Sequence, residues 1–146
     1  MEVEVKVKSL TREDLVNILS TGLYGNYSCY ASYKKNDFKS LPNASKVKDM
    51  CFEEKLAEIL LNGGKIQLTD LEAEECVYGD LPHKVNNDED DEEYGAVTYD
   101  VTLDDFKRAV EQGYEYAQAL LVHGTGDFYD GWNLIQIAMF GEEVYG

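Results

Sequence analysis

The stretch Ala96-Val-Thr-Tyr-Asp-Val101, followed by Thr102-Leu-Asp-Asp-Phe106, joins two patterns that belong to different secondary structures. Its first six residues are mostly β-branched or aromatic, which is typical of a strand. Thr102 with an acidic residue three positions later, Asp105, matches the capping box that begins a helix. The stretch therefore predicts a strand that passes directly into a capped helix.

The N-terminal stretch repeats this order. Valine alternates with charged residues over 3–7, which predicts a half-buried strand. Thr11 and Asp14 then form a second capping box, and the helix is expected to end near Gly22 or Gly25, where glycine accepts the left-handed conformation. A duplicated unit would give this similarity, but shared capping chemistry explains it without a duplication.

The remaining elements follow from the same rules. In chain order they are a strand over 27–33, a polar loop over 34–45, a helix from Asp49 to Leu61, a strand over 65–71, a helix after Thr102 that buries Phe106, Val110, Ala117 and Leu121, and a last helix capped by Asp127 or Asp130 that buries Trp132, Ile135 and Met139. Together they predict a single α+β domain over 1–146, with a small, mostly antiparallel sheet packed against three to four helices.

Composition limits the class of protein. The chain has 146 residues, 44% of them hydrophobic, and no apolar stretch of about 18 residues that would cross a membrane. Its N-terminus lacks the apolar block of a secretory signal. The three cysteines, Cys29, Cys51 and Cys76, are sparse and have no CxxC spacing, which argues against disulfides and against structural zinc. We therefore expect a location in a reducing cytoplasm.

The negative charge is concentrated in the second half of the chain. The formal net charge is −16, yet residues 1–69 hold 9 acidic and 10 basic residues, whereas residues 70–146 hold 20 acidic and 3 basic residues. Such a surface repels nucleic acids and anionic membranes and attracts basic proteins. The alternative is that the acidic residues only keep the protein soluble.

Short motifs do not predict a reaction. The acidic run 88–93 does not fit a calcium loop. Whether the loop is counted from Asn86 or from Asp88, the central glycine and the distal glutamate are missing. His123-Gly-Thr-Gly126 lacks a nucleophile with a nearby base, and Asn62-Gly-Gly-Lys65 lacks the end of a P-loop. We expect no catalytic residue, no metal and no cofactor.

The most suggestive feature is an acidic loop near 80–95, which we expect to be mobile because its like charges repel one another. Tyrosines flank the run, and an aromatic ring beside carboxylates offers a basic partner both contact area and a stacking surface for arginine. Tyrosines that half-bury at strand edges are the plainer alternative. The predicted partner-binding residues are Asp88, Glu89, Asp90, Asp91, Glu92, Glu93, Tyr94, Tyr99, Asp100, Asp104 and Asp105.

Four segments together resemble a group of small accessory proteins encoded by phages and prophages of Gram-positive gut bacteria. They are Leu10-Thr-Arg-Glu-Asp-Leu-Val-Asn-Ile-Leu19, Leu60-Leu-Asn-Gly-Gly-Lys65, Tyr99-Asp-Val-Thr-Leu-Asp-Asp-Phe106 and Ile137-Ala-Met-Phe-Gly-Glu-Glu-Val-Tyr-Gly146. The resemblance implies a phage context and carries over no catalytic residue.

Two functions fit these observations. In the first, the protein inhibits a basic host nuclease or other nucleic-acid-binding defence protein by imitating nucleic acid, as anti-CRISPR and antirestriction proteins do, since residues 70–115 carry 16 acidic and 3 basic residues. In the second, it is a non-enzymatic phage adaptor or structural accessory protein that acts as a homo-oligomer. Neither function requires direct contact with nucleic acid.

Overall fold

A three-stranded antiparallel sheet forms one layer of the structure. The computed structural model describes residues 10–71 and 97–145. Within them β1 (Cys29–Ser32), β2 (Lys65–Asp70) and β3 (Val97–Thr102) lie in the order β1-β2-β3. Both pairings are antiparallel, with Leu68 opposite Ala31 on one side and Tyr99 on the other. The three predicted strands in this part of the chain are confirmed, with the first one shorter than expected.

Helices form most of the rest of the described chain, which confirms the α+β class. In chain order they are α1 (Arg12–Leu23), α2 (Lys35–Lys39), α3 (Ala44–Val47), α4 (Phe52–Leu61), α5 (Leu103–Gln112), α6 (Tyr114–Ala117), a π-helical segment (Gln118–Val122) and α7 (Phe128–Phe140). The four with ten or more residues, α1, α4, α5 and α7, are the helices that the sequence predicts.

Capping boxes begin three of the four long helices. The pairs are Thr11 with Asp14, Thr102 with Asp105, and Asp127 with Asp130. At α5 the Asp105 carboxylate accepts hydrogen bonds from both the backbone N–H and the hydroxyl of Thr102, at 2.8 and 3.1 Å. These contacts satisfy N–H groups that have no partner inside the helix.

Two predictions in the first half of the chain were wrong. The segment 34–45 is not a loop, because it contains α2 and the start of α3. Leu41, between α2 and α3, and Val47, the last residue of α3, are buried in the core. Their tertiary packing outweighs the polar composition of the segment. Asp49 does not cap a helix either, since α4 begins at Phe52 after Cys51, which makes no side-chain capping hydrogen bond.

Burial in the second half also differs from the prediction. α7 is buried on every side from Gly131 to Phe140 rather than along one face. Gly113 separates α5 from α6, and the π-helical segment then shifts the helical phase, so Leu120 is buried in place of Leu121. The predicted strand at 3–7 and the acidic loop near 80–95 lie outside the described residues.

The packing of α1 against α7 centres on two glycines. A Cβ atom added at Gly131 would stand 2.6 Å from the backbone N of Gly22, so the two helix backbones touch there. Ile18 and Leu19 of α1 and Leu134 and Ile135 of α7 are buried in the same core. A side chain at either glycine would push the two helices apart.

We expect Gly131→Ala to lower the free energy of unfolding by about 1–3 kcal/mol, since an added methyl group meets backbone that cannot move aside. Urea unfolding followed by circular dichroism measures this change. Glu111→Ala, at an exposed position of α5, is the control and should stay within about 0.5 kcal/mol of the wild type. A Gly131→Ala protein as stable as the wild type would contradict the close helix contact.

Candidate partner-binding surface

The predicted partner-binding residues divide into two groups. Those at 88–94 lie outside the described residues, while Tyr99, Asp100, Asp104 and Asp105 lie within them. Tyr99 is fully buried and packs edge-to-face against Phe140, with ring centroids 5.1 Å apart. Its position opposite Leu68 places it on the core face of the sheet, so the expectation that Tyr99 contacts a partner is wrong.

Asp105 has a structural role. It is 3% exposed, caps α5 and pairs with Arg108, whose Nη1 lies 2.9 Å from its Oδ1. Arg108 also donates to the carbonyl oxygens of Ile137 and Ala138, at 2.9 and 3.1 Å. The expectation that Asp105 faces a partner is therefore corrected, because its charge is used to join α5 to the end of α7.

The other two carboxylates remain on the surface to different degrees. Asp100 is partly exposed, accepts a hydrogen bond from Gln67 at 2.9 Å and forms an ion pair with Lys65 at 3.5 Å. Asp104 is exposed in the first turn of α5, where a negative charge is favourable to the helix dipole. Of the four predicted residues in the described chain, Asp104 is the one most open to a partner.

A different acidic surface is formed where α5 passes into α6 beside the end of α7. Its lining residues are Gln112, Gly113, Tyr114, Glu115, Tyr116, Ile137 and Glu143, and we call it the acidic groove. Gly113 makes the groove possible, since a Cβ atom there would stand 2.9 Å from the Ile137 side chain. Gln112 donates to the carbonyl oxygen of Gly141 at 3.1 Å and holds the two walls together.

Negative charge dominates the groove. Hydrogen bonding to Glu143 raises the pKa of Tyr116 to about 12, with smaller contributions from burial and from Glu115 and Asp130. Residues 97–145 contain 9 acidic and 2 basic residues, and Arg108 is already committed to Asp105. A lysine or arginine of another protein would find carboxylates and two tyrosine rings in the groove.

Neither of the two cysteines in the described part of the chain is set up as a nucleophile. Cys29 is buried, and its pKa is raised well above the usual range, mainly by burial and to a smaller extent by the nearby Asp70 carboxylate. Cys51 is exposed, but its hydrogen bond to Glu54 raises its pKa as well. Only the thiolate is strongly nucleophilic, so neither cysteine of the described chain is activated.

Metal-binding groups are also dispersed. Within residues 10–71 and 97–145, histidine, cysteine and acidic side chains do not gather in threes around a point that could hold an ion. The absence of a metal remains a prediction for the whole chain.

Two short motifs in the sequence contribute to the groove, but they are less conspicuous than the acidic run 88–93. Tyr114-Glu-Tyr116 combines aromatic and acidic residues as 94–105 does, and Glu142-Glu143 follows the end of α7. These two short motifs lie about 27 residues apart in the chain. Their proximity in space depends on the packing of α6 against α7, which sequence patterns do not reveal.

None of the helices in the described part of the chain combines the length and apolar character needed to cross a membrane. Searches of protein-family models, curated proteins and solved structures gave no match to this chain.

The Tyr116–Glu143 contact can be tested by titration. Glu143→Gln should lower the pKa of Tyr116 from about 12 toward the ordinary value of 10.0, because an uncharged amide oxygen favours the protonated hydroxyl less than a carboxylate does. Folding favours that neutral form, so this contribution to stability is complete below the unfolded pKa and is lost as the pH rises through the folded one.

NMR of Cζ-labelled tyrosine would follow the ionisation, and Tyr116→Phe assigns the signal. Glu111→Gln removes the same charge from the exposed surface of α5 and serves as the control. An unchanged Tyr116 titration in Glu143→Gln would show that the two side chains do not interact.

Proposed function

We propose that this protein is a phage-encoded acidic accessory protein that binds a basic, nucleic-acid-binding host defence protein and takes the place of its nucleic acid. The observation that carries the proposal is the acidic groove, where Glu115 and Glu143 stand beside the rings of Tyr114 and Tyr116. Carboxylates substitute for phosphates, and tyrosine rings substitute for the flat faces of bases.

The distribution of charge supports this function. Residues 70–146 hold 20 acidic residues against 3 basic ones, whereas residues 1–69 are close to neutral. A basic channel that accepts duplex DNA meets about one phosphate charge per 1.7 Å of helix axis. A chain with this excess of carboxylates in its second half offers such a channel a high density of negative charge.

The groove adds short-range contacts to this long-range attraction. Tyr116, like any tyrosine whose pKa is ordinary or raised, is protonated at neutral pH and places no additional charge in the groove. An arginine of the partner can then stack on a tyrosine ring while its guanidinium donates to Glu115 or Glu143. Stacking and bidentate hydrogen bonding favour arginine over lysine at such a site.

The resemblance to phage accessory proteins provides the biological setting of the proposal. A defence enzyme with a nucleic-acid channel, such as an RNA-guided nuclease or a restriction endonuclease, has the required positive surface. The second function, a phage adaptor acting as a homo-oligomer, would instead require a surface that fits a second copy of the chain.

The proposal is tested by association kinetics on immobilised, purified nucleases of these two classes. The double variant Glu115→Gln/Glu143→Gln should associate roughly tenfold more slowly than the wild type at low salt, because it removes two charges from the steering surface. The difference should shrink as the Debye length falls from about 30 Å at 0.01 M salt to about 10 Å at 0.1 M.

Glu13→Gln/Glu53→Gln is the matched control, since it makes the same change in net charge in the neutral half of the chain. It should associate at nearly the wild-type rate. If the control and the groove variant slowed association equally, net charge rather than the groove would govern binding. If no nuclease of either class bound the wild type, the proposed mimicry would be wrong.

A further inference from the structure

One long stretch of this highly charged chain has no charged side chain. Charged residues make up 29% of the sequence, yet residues 15–33 contain no aspartate, glutamate, lysine or arginine. Tyrosine, serine, glycine and asparagine are prominent in its second part, 20–33. The same four residues are enriched in antibody binding loops, where tyrosine supplies rigid contact area and the small polar residues supply adaptable hydrogen bonds.

The connection between α1 and β1, residues 24–28, forms the most exposed part of this stretch, and we call it the tyrosine loop. Asn26 holds it in place: its side-chain nitrogen donates to the carbonyl oxygen of Gly22 at 2.9 Å, and its side-chain oxygen accepts from the backbone N–H of Ser28 at 2.8 Å. Gly25 adopts a positive φ of 72°, which glycine accepts readily. The Ser28 carbonyl accepts the backbone N–H of Leu71 at 2.8 Å, so the loop is ordered by hydrogen bonds within it and to the end of β2.

This ordered loop presents two aromatic side chains almost completely to solvent. Tyr24 is 89% exposed and Tyr27 is 91% exposed, the highest values among the large hydrophobic residues of the described chain. An aromatic ring on a mobile segment loses conformational entropy when a partner fixes it. A ring held out by a fixed loop is already in place for binding, so a partner loses little conformational entropy when it buries that ring.

Two further exposed tyrosines adjoin the loop, one on β1 and one at the start of α7, where the capping carboxylates Asp127 and Asp130 also lie. β1 follows it and lies at one edge of the three described strands, with Tyr30 exposed. The residues of β1 include neither the lysine nor the proline that commonly protects an edge strand from another chain. The contact between Gly22 and Gly131 brings the start of α7, with exposed Tyr129, to the same end of α1.

We propose that the tyrosine loop is an interface through which two copies of this chain form a symmetric dimer. A two-fold contact brings the same patch of both copies together, so a charged patch would face its own charge. In a chain of net charge −16, the absence of charged side chains from the tyrosine loop lowers that cost at the contact itself.

The exposed rings supply a useful share of the area that such a dimer needs. A buried tyrosine removes about 150–250 Å² from water. Two rings from each copy would therefore bury roughly 600–1,000 Å², close to half of the 1,600 Å² or so of a standard interface. Tyr30 and the neighbouring small polar residues of both copies would supply the remainder.

This inference does not rest on the basic partner of the proposed function, and it predicts an unusual response to salt. Dimers held by ion pairs dissociate as salt rises, because the attraction is screened. A dimer with a neutral interface between two acidic molecules should instead become tighter, because only the repulsion is screened. The two kinds of dimer can be distinguished with the purified protein alone.

Sedimentation velocity from about 1 to 500 μM in 50 and 500 mM NaCl provides the test. The wild-type mass should rise with concentration from 16.5 kDa toward twice that value, and should rise at lower concentration in 500 mM NaCl. Tyr24→Ser/Tyr27→Ser should weaken the dimer at least tenfold. Tyr27→Asp should weaken it most at 50 mM NaCl, because it places two negative charges across the two-fold axis.

Tyr114→Ser is the matched control, since it removes a partly exposed tyrosine from the acidic groove, and it should dimerise like the wild type. All variants change exposed side chains and should melt within a few degrees of the wild type. A wild type that stays monomeric at every concentration would overturn the inference. A dimer that dissociates on adding salt, or that ignores the loop substitutions, would overturn it as well.

Discussion

The contact between Gly22 and Gly131 is the constraint on which both surfaces depend. With no side chain between them, α1 and α7 approach until their backbones touch, and α7 can be buried on every side. The end of α1 then fixes the start of the tyrosine loop, and the body of α7 fixes Ile137 at the wall of the acidic groove. The two surfaces proposed for binding, one acidic and one uncharged, are thereby held by one helix pair.

Arg108 makes the second connection. It joins the first turns of α5, through Asp105, to the carbonyl oxygens of Ile137 and Ala138 near the end of α7. The Ile137 carbonyl also accepts the backbone N–H of Gly141, so Arg108 adds a second donor there. A cation near a helix C-terminus is also favourable to the helix dipole. Residues 97–145 contain only two basic residues, and one of them, Arg108, has a structural role. The acidic groove beside it keeps its negative potential.

Local chemistry made the long helices and the strands predictable. The pairs Thr11–Asp14 and Thr102–Asp105 name a helix start directly, and valine and tyrosine patterns mark the strands. The short helices α2 and α3 were missed because they are stabilised by the burial of Leu41 and Val47 in the core, and only the tertiary structure shows that burial. Tyr99 was misplaced for a related reason: its strand pattern does not say which face is the core, which the register with Leu68 decides. The acidic groove brings together residues from separate parts of the sequence. Charge counts therefore indicated the half of the sequence that contains it, but not its position in the fold.

Competition by duplex DNA tests the central claim of nucleic-acid mimicry most directly. The protein would first be bound to an immobilised nuclease that recognises it, and duplex of the length that fills the nucleic-acid channel would then be added to saturation. If acidic side chains occupy the path of the phosphates, the two ligands exclude one another and the protein is displaced. A stable ternary complex, in which duplex binds and the protein stays, would contradict the account.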